Sequence, residues 1–335
     1  MIIISTPPKI PLSLFFRKRR AHMFSIELLF DNLAEGLSRN GGFAVKKTEV
    51  PTENNFFFNF IFALRSRDGI NHVTGDIHYV VLALGKKRTV LTIHDSVFLT
   101  RYGKWDIKYW LIKYFWYQLP IHFAQVVTVI SEKTKRELIK LTGVKEEKIK
   151  VIPNFYDPRF TFVPGQFNKQ CPKILQIGTK SNKNINGLIE AIKFIPCELW
   201  AVGVLEEDTR ALLKKNNIRY VSYENISFDT LKGLYETCDI VSFISTYEGF
   251  GLPMLEAFAV GRPLITSCLS PMGEIAEDAA AKVNPYNIFD IRRGVLKIIE
   301  DDFFREALIE KGRKLAEKYH IDTVKHMYEQ LYKGL

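Results

Sequence analysis

The 335-residue chain is 47% hydrophobic and 25% charged, long enough for two domains that each bury a core, and has no run of 18 apolar residues, which excludes a membrane-spanning helix. Four cysteines (Cys171, Cys197, Cys238, Cys268) lack any C-x-x-C pairing, which argues against zinc and disulfide frameworks and for a reduced, cytoplasmic setting. The net charge of +10 is uneven: residues 1–163 hold 25 Lys+Arg against 14 Asp+Glu, and residues 164–335 hold 22 against 23. The first half therefore suggests an anionic partner, such as lipid headgroups, a phosphorylated lipid carrier or nucleic acid, or else a merely solvated basic surface.

Met1–Thr6 reads as a first strand; it is too short for a signal peptide, and the basic cluster Arg17–Arg20 follows it rather than preceding it. The stretch through His22 reads as a loop. A helix is expected from about Ser25, its N-cap, to Arg39, with Ile26, Leu29, Phe30 and Leu33 on one face. Phe43–Val50, His78–Leu84 and Arg88–Ile93 read as strands, the last running into His94-Asp95. A histidine at the C-terminal end of a strand in an open α/β sheet lies where ligands bind, although a lone histidine is more often structural. His72 and His78 lack a third ligand for a metal. Residues 104–123 are strongly aromatic with Lys104, Lys108 and Lys113 interspersed, which fits either a membrane interface or a helix packing its aromatic stripe inward. Val126–Ile130 is a strand, Ser131 caps a helix through Leu141, Lys148–Pro153 is a strand, and residues 154–165 form a Pro-punctuated linker.

The second half opens with a strand, Lys173–Ile177, a loop starting at Gly178 with Thr179, Lys180 and Lys183, and a helix from about Asn186. Further strands are expected at Glu198–Val202, Arg219–Val221 and Leu264–Ser267, and a helix over Asp229–Thr237. Between these last two lies the most informative stretch. Asp239–Ile244 has strand character, Glu248-Gly249-Phe250-Gly251 forces a sharp turn or a close approach, and Pro253 suits the first turn of a helix that Gly261 ends. Strand, glycine loop and helix together aim backbone N–H groups at an anion. Glu248 and Glu256 frame that helix start; alone they are explained as an exposed loop residue and a dipole-complementing side chain, or as acceptors for ligand hydroxyls. Residues 287–300 and 302–319 and Thr323–Lys333 are expected as helices.

The string Glu248-Gly249-Phe250-Gly251-Leu252-Pro253-x-x-Glu256-Ala257 resembles the Glu-x7-Glu signature of the family 4 retaining glycosyltransferases. The resemblance covers residues 91–335 well and the first ninety loosely. It implies a GT-B fold, two Rossmann-like α/β domains with doubly wound parallel sheets facing a cleft. The implied domains are residues 1–163 on the acceptor side, residues 164–319 for the nucleotide sugar, and a final helix, 320–335, crossing back to the first domain. Carried over, Glu248 and the amides of Gly249, Phe250, Gly251 and Leu252 hold the donor sugar, and Glu256 the ribose. His94 matches the family's active-site histidine. Lys183 matches the lysine of its basic pair for the diphosphate; Thr179 stands where arginine is common, Lys180 is the nearest substitute, and Gly178 opens the loop. No glycine precedes the Ser25 helix, where the family usually has a glycine-rich turn.

The expectation is thus a hexosyltransferase, acting from a UDP-sugar or GDP-sugar on a glycan or lipid-linked hydroxyl in bacterial surface polysaccharide synthesis. No DxD pair or other metal motif stands in the chain, so neither metal nor cofactor is expected, and the site implies no nucleic acid partner. The expected place is the cytoplasm, with contact to anionic lipid on the inner membrane face. The alternatives are a GT-B epimerase and a non-catalytic nucleotide-sugar-binding protein; a nicotinamide enzyme lacks its G-x-G-x-x-G.

Overall fold

A computed structural model describes residues 8–19, 25–39, 42–96, 102–103 and 105–335. It divides into two compact units: the described residues up to Asn154 together with Ile321–Leu335, and Phe155–His320.

The first unit holds a parallel sheet of β1 (Ile10–Phe16), β2 (Phe43–Glu49), β3 (Ile70–Val73), β4 (Thr89–Ile93), β5 (Val126–Val129) and β6 (Ile149–Val151), in the order β2-β1-β3-β4-β5-β6. Parallel neighbours need crossovers, which Ser25–Arg39 and Phe56–Ser66 supply between the first three strands. β4 is buried at all five positions, its two threonines included. Two expectations are corrected. The segment read as a loop contains β1, which pairs with both β2 and β3; Pro7, Pro8 and Pro11 disguise it, but Pro11 sits at the strand's start, where a missing N–H is tolerated. His78–Leu84 is not a strand but a 3-10 turn (His78–Val80) and a helical turn (Val81–Leu84) ended by Gly85 at φ +79°. A short β-branched run has no periodicity that separates the two states. The stretch Met1–Thr6 lies outside the described residues.

Residues 107–123 are helical throughout, with a π-helical middle at Ile112–Gln118. Tyr109, Tyr117 and Ile121 enter the core beside Val127 and Leu138, whereas Trp105, Ile107, Trp110, Leu111, Tyr114 and Phe115 are exposed. One face of the aromatic segment is therefore core, and the other faces outward.

The second unit holds β7 (Lys173–Ile177), β8 (Glu198–Val202), β9 (Arg219–Tyr223), β10 (Ile240–Phe243), β11 (Leu264–Ser267) and β12 (Ala281–Val283), all parallel, in the order β12-β11-β10-β7-β8-β9. The buried Asp239 carboxylate accepts from the amides of Asn168 and Lys173, both at 2.8 Å, and so pins the start of β7 beside that of β10. Strand order reverses between β7 and β10. In doubly wound sheets, ligands bind at the C-terminal ends of the strands at such a reversal. The two loops that meet there are the glycine loops singled out in the sequence.

Candidate active site

The loop after β7 turns at Gly178, φ +85°, where an added Cβ would lie 3.1 Å from the Lys183 side chain. Glycine thus permits both the turn and the path of the lysine across it. Thr179 donates to the Val204 carbonyl at 2.6 Å, Lys180 is exposed, and Asn184 adopts a left-handed conformation before the helix Ile185–Ile192. Gln176 braces the loop from β7 by donating to the carbonyls of Gly178 and Lys183.

From the other side, β10 feeds residues 244–251 and the helix Leu252–Val260. Gly251 has φ +125°, and a Cβ there would meet Met254 Cε at 2.8 Å and Phe243 Cε1 at 3.0 Å. Pro253 stands in the helix's first turn and Gly261, φ +78°, ends it. Phe250 buries its ring against Tyr319, with centroids 6.0 Å apart.

The two loops are tied by Lys183, whose Nζ donates to Glu248 Oε1 at 2.6 Å and lies 4.8 Å from the centre of the Phe243 ring. Both side chains are largely buried, 21% and 15% exposed, so the pair is held rather than solvated. Asn182 completes the bracket: its Nδ2 donates to the Tyr247 carbonyl (3.0 Å) and to Glu248 Oε1 (3.3 Å), while its own carbonyl accepts from Thr246 N at 2.8 Å. Asn184 donates to the Pro285 carbonyl at 2.7 Å, which brings the turn after β12 against the same loop.

Glu256, one turn into the helix, accepts from the Tyr235 hydroxyl at 2.5 Å. Burial pushes its carboxyl up to about 7; the Tyr235 hydrogen bond opposes the rise, and Asp157 adds to it. Tyr235 is fully buried, and loss of water together with the neighbouring Glu256 raises its phenol far above the usual range. Arg262, just past the helix, has 6% exposure and spends its guanidinium on the carbonyls of Tyr235, Val163 and Glu236. The sequence marked it only as part of a helix stop. Asn182 and Tyr235 were likewise missed: their partners lie 66 and 21 residues away, beyond any local pattern.

His94 belongs to the first unit, at the C-terminal end of β4. Its Nε2 is 2.7 Å from the Thr74 carbonyl, which can only accept, so Nε2 carries the hydrogen and Nδ1 offers its lone pair when the ring is neutral. A Cβ on Gly75 would stand 2.9 Å from the His94 ring, so that glycine makes room for it. His72 and His78 are structural. His72 Nδ1 and Nε2 lie 2.6 Å from the hydroxyls of Tyr332 and Thr92, and His78 Nδ1 lies 2.9 Å from the Trp116 carbonyl. Of the basic cluster, the described residues are paired: Arg17 with Glu27 and Asp76, Lys18 with Glu49, and Arg19 with Asp31 and Glu49.

Two units, each a parallel six-stranded sheet, with a glycine-loop site at the switch point of the second, have the architecture of the GT-B fold. Sucrose-phosphate synthase from Thermosynechococcus elongatus superposes with a TM-score of 0.78 at 16% identity, covering 97% of this chain and 99% of that one. Residues 30–160 match the family model described as Glycosyltransferase Family 4, and residues 159–315 match Glycosyl transferases group 1. The chain belongs to the family 4 glycosyltransferases. It is 26% identical over 222 residues to the O-antigen chain mannosyltransferase B of Escherichia coli, a match spanning 58% of this chain and 57% of that protein. It is 25% identical over 272 residues to the O-antigen chain mannosyltransferase RfbU of Salmonella typhimurium, 74% of each chain.

Proposed function

We propose that the protein transfers a hexosyl group from a nucleoside-diphosphate sugar to a hydroxyl of a glycan or lipid-linked acceptor, with retention of configuration, in bacterial surface polysaccharide synthesis. The observation that carries this reading is the Lys183–Glu248 pair at the switch point, followed in the chain by the amides of residues 249–252 and by Glu256 one turn into the next helix. A departing diphosphate needs positive charge placed in advance. Lys183 has three N–H donors, of which Glu248 takes one, and the helix Leu252–Val260 adds the positive end of its dipole. Glu248 then positions the sugar through its hydroxyls, Glu256 takes the ribose, and Thr179 and Lys180 lie on the diphosphate loop. His94 serves from the first unit as a hydrogen-bond partner for the reacting sugar. The acceptor oxygen attacks on the face the phosphate leaves, and its proton passes to that phosphate. This reading uses no divalent cation or cofactor. The names of the relatives make mannose the first sugar to test.

Thermal shift with nucleoside diphosphates and their sugars, with and without EDTA, tests the donor site, because a ligand of the native state raises stability by mass action. One nucleotide should raise the melting temperature in wild type and fail to do so in Glu256→Ala. No shift with any nucleotide would sink the donor assignment, and transfer to water without inversion of the released sugar would support retention.

Peripheral membrane contact on the cytoplasmic side is part of the proposal. Of the 21 exposed large hydrophobic side chains among the described residues, eleven lie in residues 56–64 and 105–123. Trp105 is fully exposed, and Lys108 and Lys113 lie among these rings, the pattern of an interfacial helix. Beside Tyr114 and Phe123 a groove of about 1090 Å³ is lined by Lys86, Lys145 and Lys148. Burial and the charge of Lys86 lower the Lys148 amine, a strain that an anionic headgroup would relieve. Vesicles with anionic lipid should bind the protein more than neutral ones, and Trp110→Ala with Phe115→Ala should reduce both; equal partitioning to the two vesicle types removes the electrostatic part.

A further inference from the structure

Tyr235 stands in the last turn of the helix Phe228–Thr237 and is wholly buried. Its ring packs against Phe160, centroids 5.3 Å apart, and Phe160 packs in turn on Phe228 at 5.1 Å. On the backbone side, Arg262 Nε donates to the Tyr235 carbonyl at 3.0 Å. Phenylalanine would fill the same space without a polar atom to satisfy, so the hydroxyl needs a reason. It donates to Glu256 Oε2 at 2.5 Å, and the Pro253 carbonyl lies 3.5 Å away.

Among the described residues Glu256 has no other side-chain hydrogen bond and no ion pair. The groups around it leave its charge uncompensated. Asp157, from the segment ahead of β7, raises the Glu256 carboxyl and is itself paired with Arg159 at 2.7 Å. The Cys238 thiol beside Tyr235, pushed up to about 12 by burial, stays neutral. Arg262, just past the helix that carries Glu256, directs its N–H groups to the carbonyls of Tyr235, Val163 and Glu236. The Tyr235 hydroxyl is therefore what favours the ionised carboxylate, against the burial that pushes it up to about 7.

A glutamate side chain without such a hold samples several rotamers, and a ligand that needs one of them binds more weakly. We propose that Tyr235 is a positioning residue for the nucleotide: its hydroxyl holds Glu256 by Oε2 in a single rotamer and leaves Oε1 as the acceptor for a ribose hydroxyl. The inference rests on the donor reading, in which Glu256 takes the ribose. Two consequences separate this role from packing alone. A fixed acceptor rejects a nucleotide that lacks the hydroxyl, because the carboxylate then loses water without gaining a partner. The ionised carboxylate is also the stronger acceptor, so the preference for ribose falls as the pH drops through about 7. Without the Tyr235 hydroxyl that fall begins at a higher pH.

Isothermal titration calorimetry of the whole chain with UDP, GDP and their 2′- and 3′-deoxy forms, from pH 6 to 8.5, tests this without acceptor or turnover. At pH 8 wild type should bind one ribonucleotide roughly tenfold tighter than at least one of its deoxy forms, the worth of one charge-assisted hydrogen bond. Tyr235→Phe should cut that ratio to about twofold and bind the deoxy form as wild type does, which also shows that it folds. Glu256→Gln keeps an acceptor for Tyr235 but has no charge to lose, so its ratio should stay flat across the pH range. A wild-type ratio that persists in Tyr235→Phe at every pH overturns the inference alone. Equal weakening of ribo and deoxy forms in Tyr235→Phe, the mark of a packing effect, overturns it too, as does a ratio in Glu256→Gln that still falls with pH. No binding of either nucleotide by wild type removes the donor reading, and this inference with it.

Discussion

At the switch point of the second sheet the chain clears space with glycine, Gly178 and Gly251 both at positive φ, and leaves one partly buried ion pair, Lys183–Glu248, between the loops. At the switch point of the first sheet, side chains fill the corresponding position. Arg17 is clasped by Glu27 and Asp76, and Phe56, Tyr79 and Trp116 wall off a pocket. Glycine loops expose backbone N–H groups, which suit phosphate oxygens. The two switch points thus differ in loop composition rather than in topology.

The sharpest test of that contrast removes the cation from the second site. Lys183→Ala should lower transfer by two to three orders of magnitude, roughly 3–4 kcal/mol of transition-state stabilisation, because the lysine answers charge that develops as the diphosphate leaves. Its main effect should fall on kcat, with the acceptor KM unchanged. A loss confined to the acceptor KM would refute the donor-side role of Lys183.

Proton uptake separates the two units next. Burial raises Glu256 from 4.5 to about 7, so between those values the folded second unit holds a proton that the unfolded chain lacks, and its stability falls as pH rises. Burial, helped by His94, lowers His72 from 6.5 to about 3, and burial lowers His78 to about 4. Below pH 6.5 the unfolded chain takes up protons that these rings refuse, so the first unit gains stability as pH rises through that window. Each contribution is on the order of a few kcal/mol. Hydrogen exchange from pH 5 to 6.5, corrected for intrinsic rate, should show protection rising in β3 and β4 and falling in the helix Leu252–Val260. Glu256→Gln should flatten the second trend alone; parallel trends in both units would refute the assignment.

Gly251→Ala should cost about 1–3 kcal/mol in chemical denaturation, since φ +125° strains any side chain and the new Cβ meets Met254 and Phe243. Gly42→Ala, with nothing within 4 Å of its Cβ and no such φ, is the matched change in the first unit and should stay within about 0.5 kcal/mol.

What could be read from the sequence follows the same division. The second unit's site is written in local chemistry: glycines where φ is positive, a proline in the first turn of a helix, and two glutamates eight residues apart. Every strand of that sheet also begins or ends close to a turn signal, β12 at Asn284-Pro285. The first unit resists such reading because its pairings are assembled at long range. Arg17 and Asp76 lie 59 residues apart, and the Phe56–Ser66 helix carries Phe56-Phe57-Phe58, which has no helical period. His78–Leu84 has the composition of a buried strand, and only tertiary packing makes it helical. The basic cluster is visible, but the pairing of Arg17, Lys18 and Arg19 with Glu27, Asp31, Glu49 and Asp76 is not, because the acids come from other elements.

The smallest effect concerns a contact on which the first unit depends and which nothing local announces. Tyr332, near the end of the helix Ile321–Lys333, is 1% exposed and places its hydroxyl 2.6 Å from His72 Nδ1, across 260 residues of chain. Thr92 meets the other ring nitrogen and also lies 2.6 Å from the Thr128 hydroxyl, so one buried polar chain runs from this helix through β3 and β4 to β5. Tyr332→Phe keeps the ring, which packs 5.7 Å from Phe43 and stacks on Tyr328, and removes only the hydroxyl. The cost should be about 1–2 kcal/mol, one hydrogen bond plus a stranded ring nitrogen. It should shrink in the His72→Phe background, where no nitrogen is left unpaired, and a double-mutant cycle measures that coupling. Coupling near zero would mean that the helix is held by its aromatic packing alone, and that the buried histidine adds nothing to its place in the first unit.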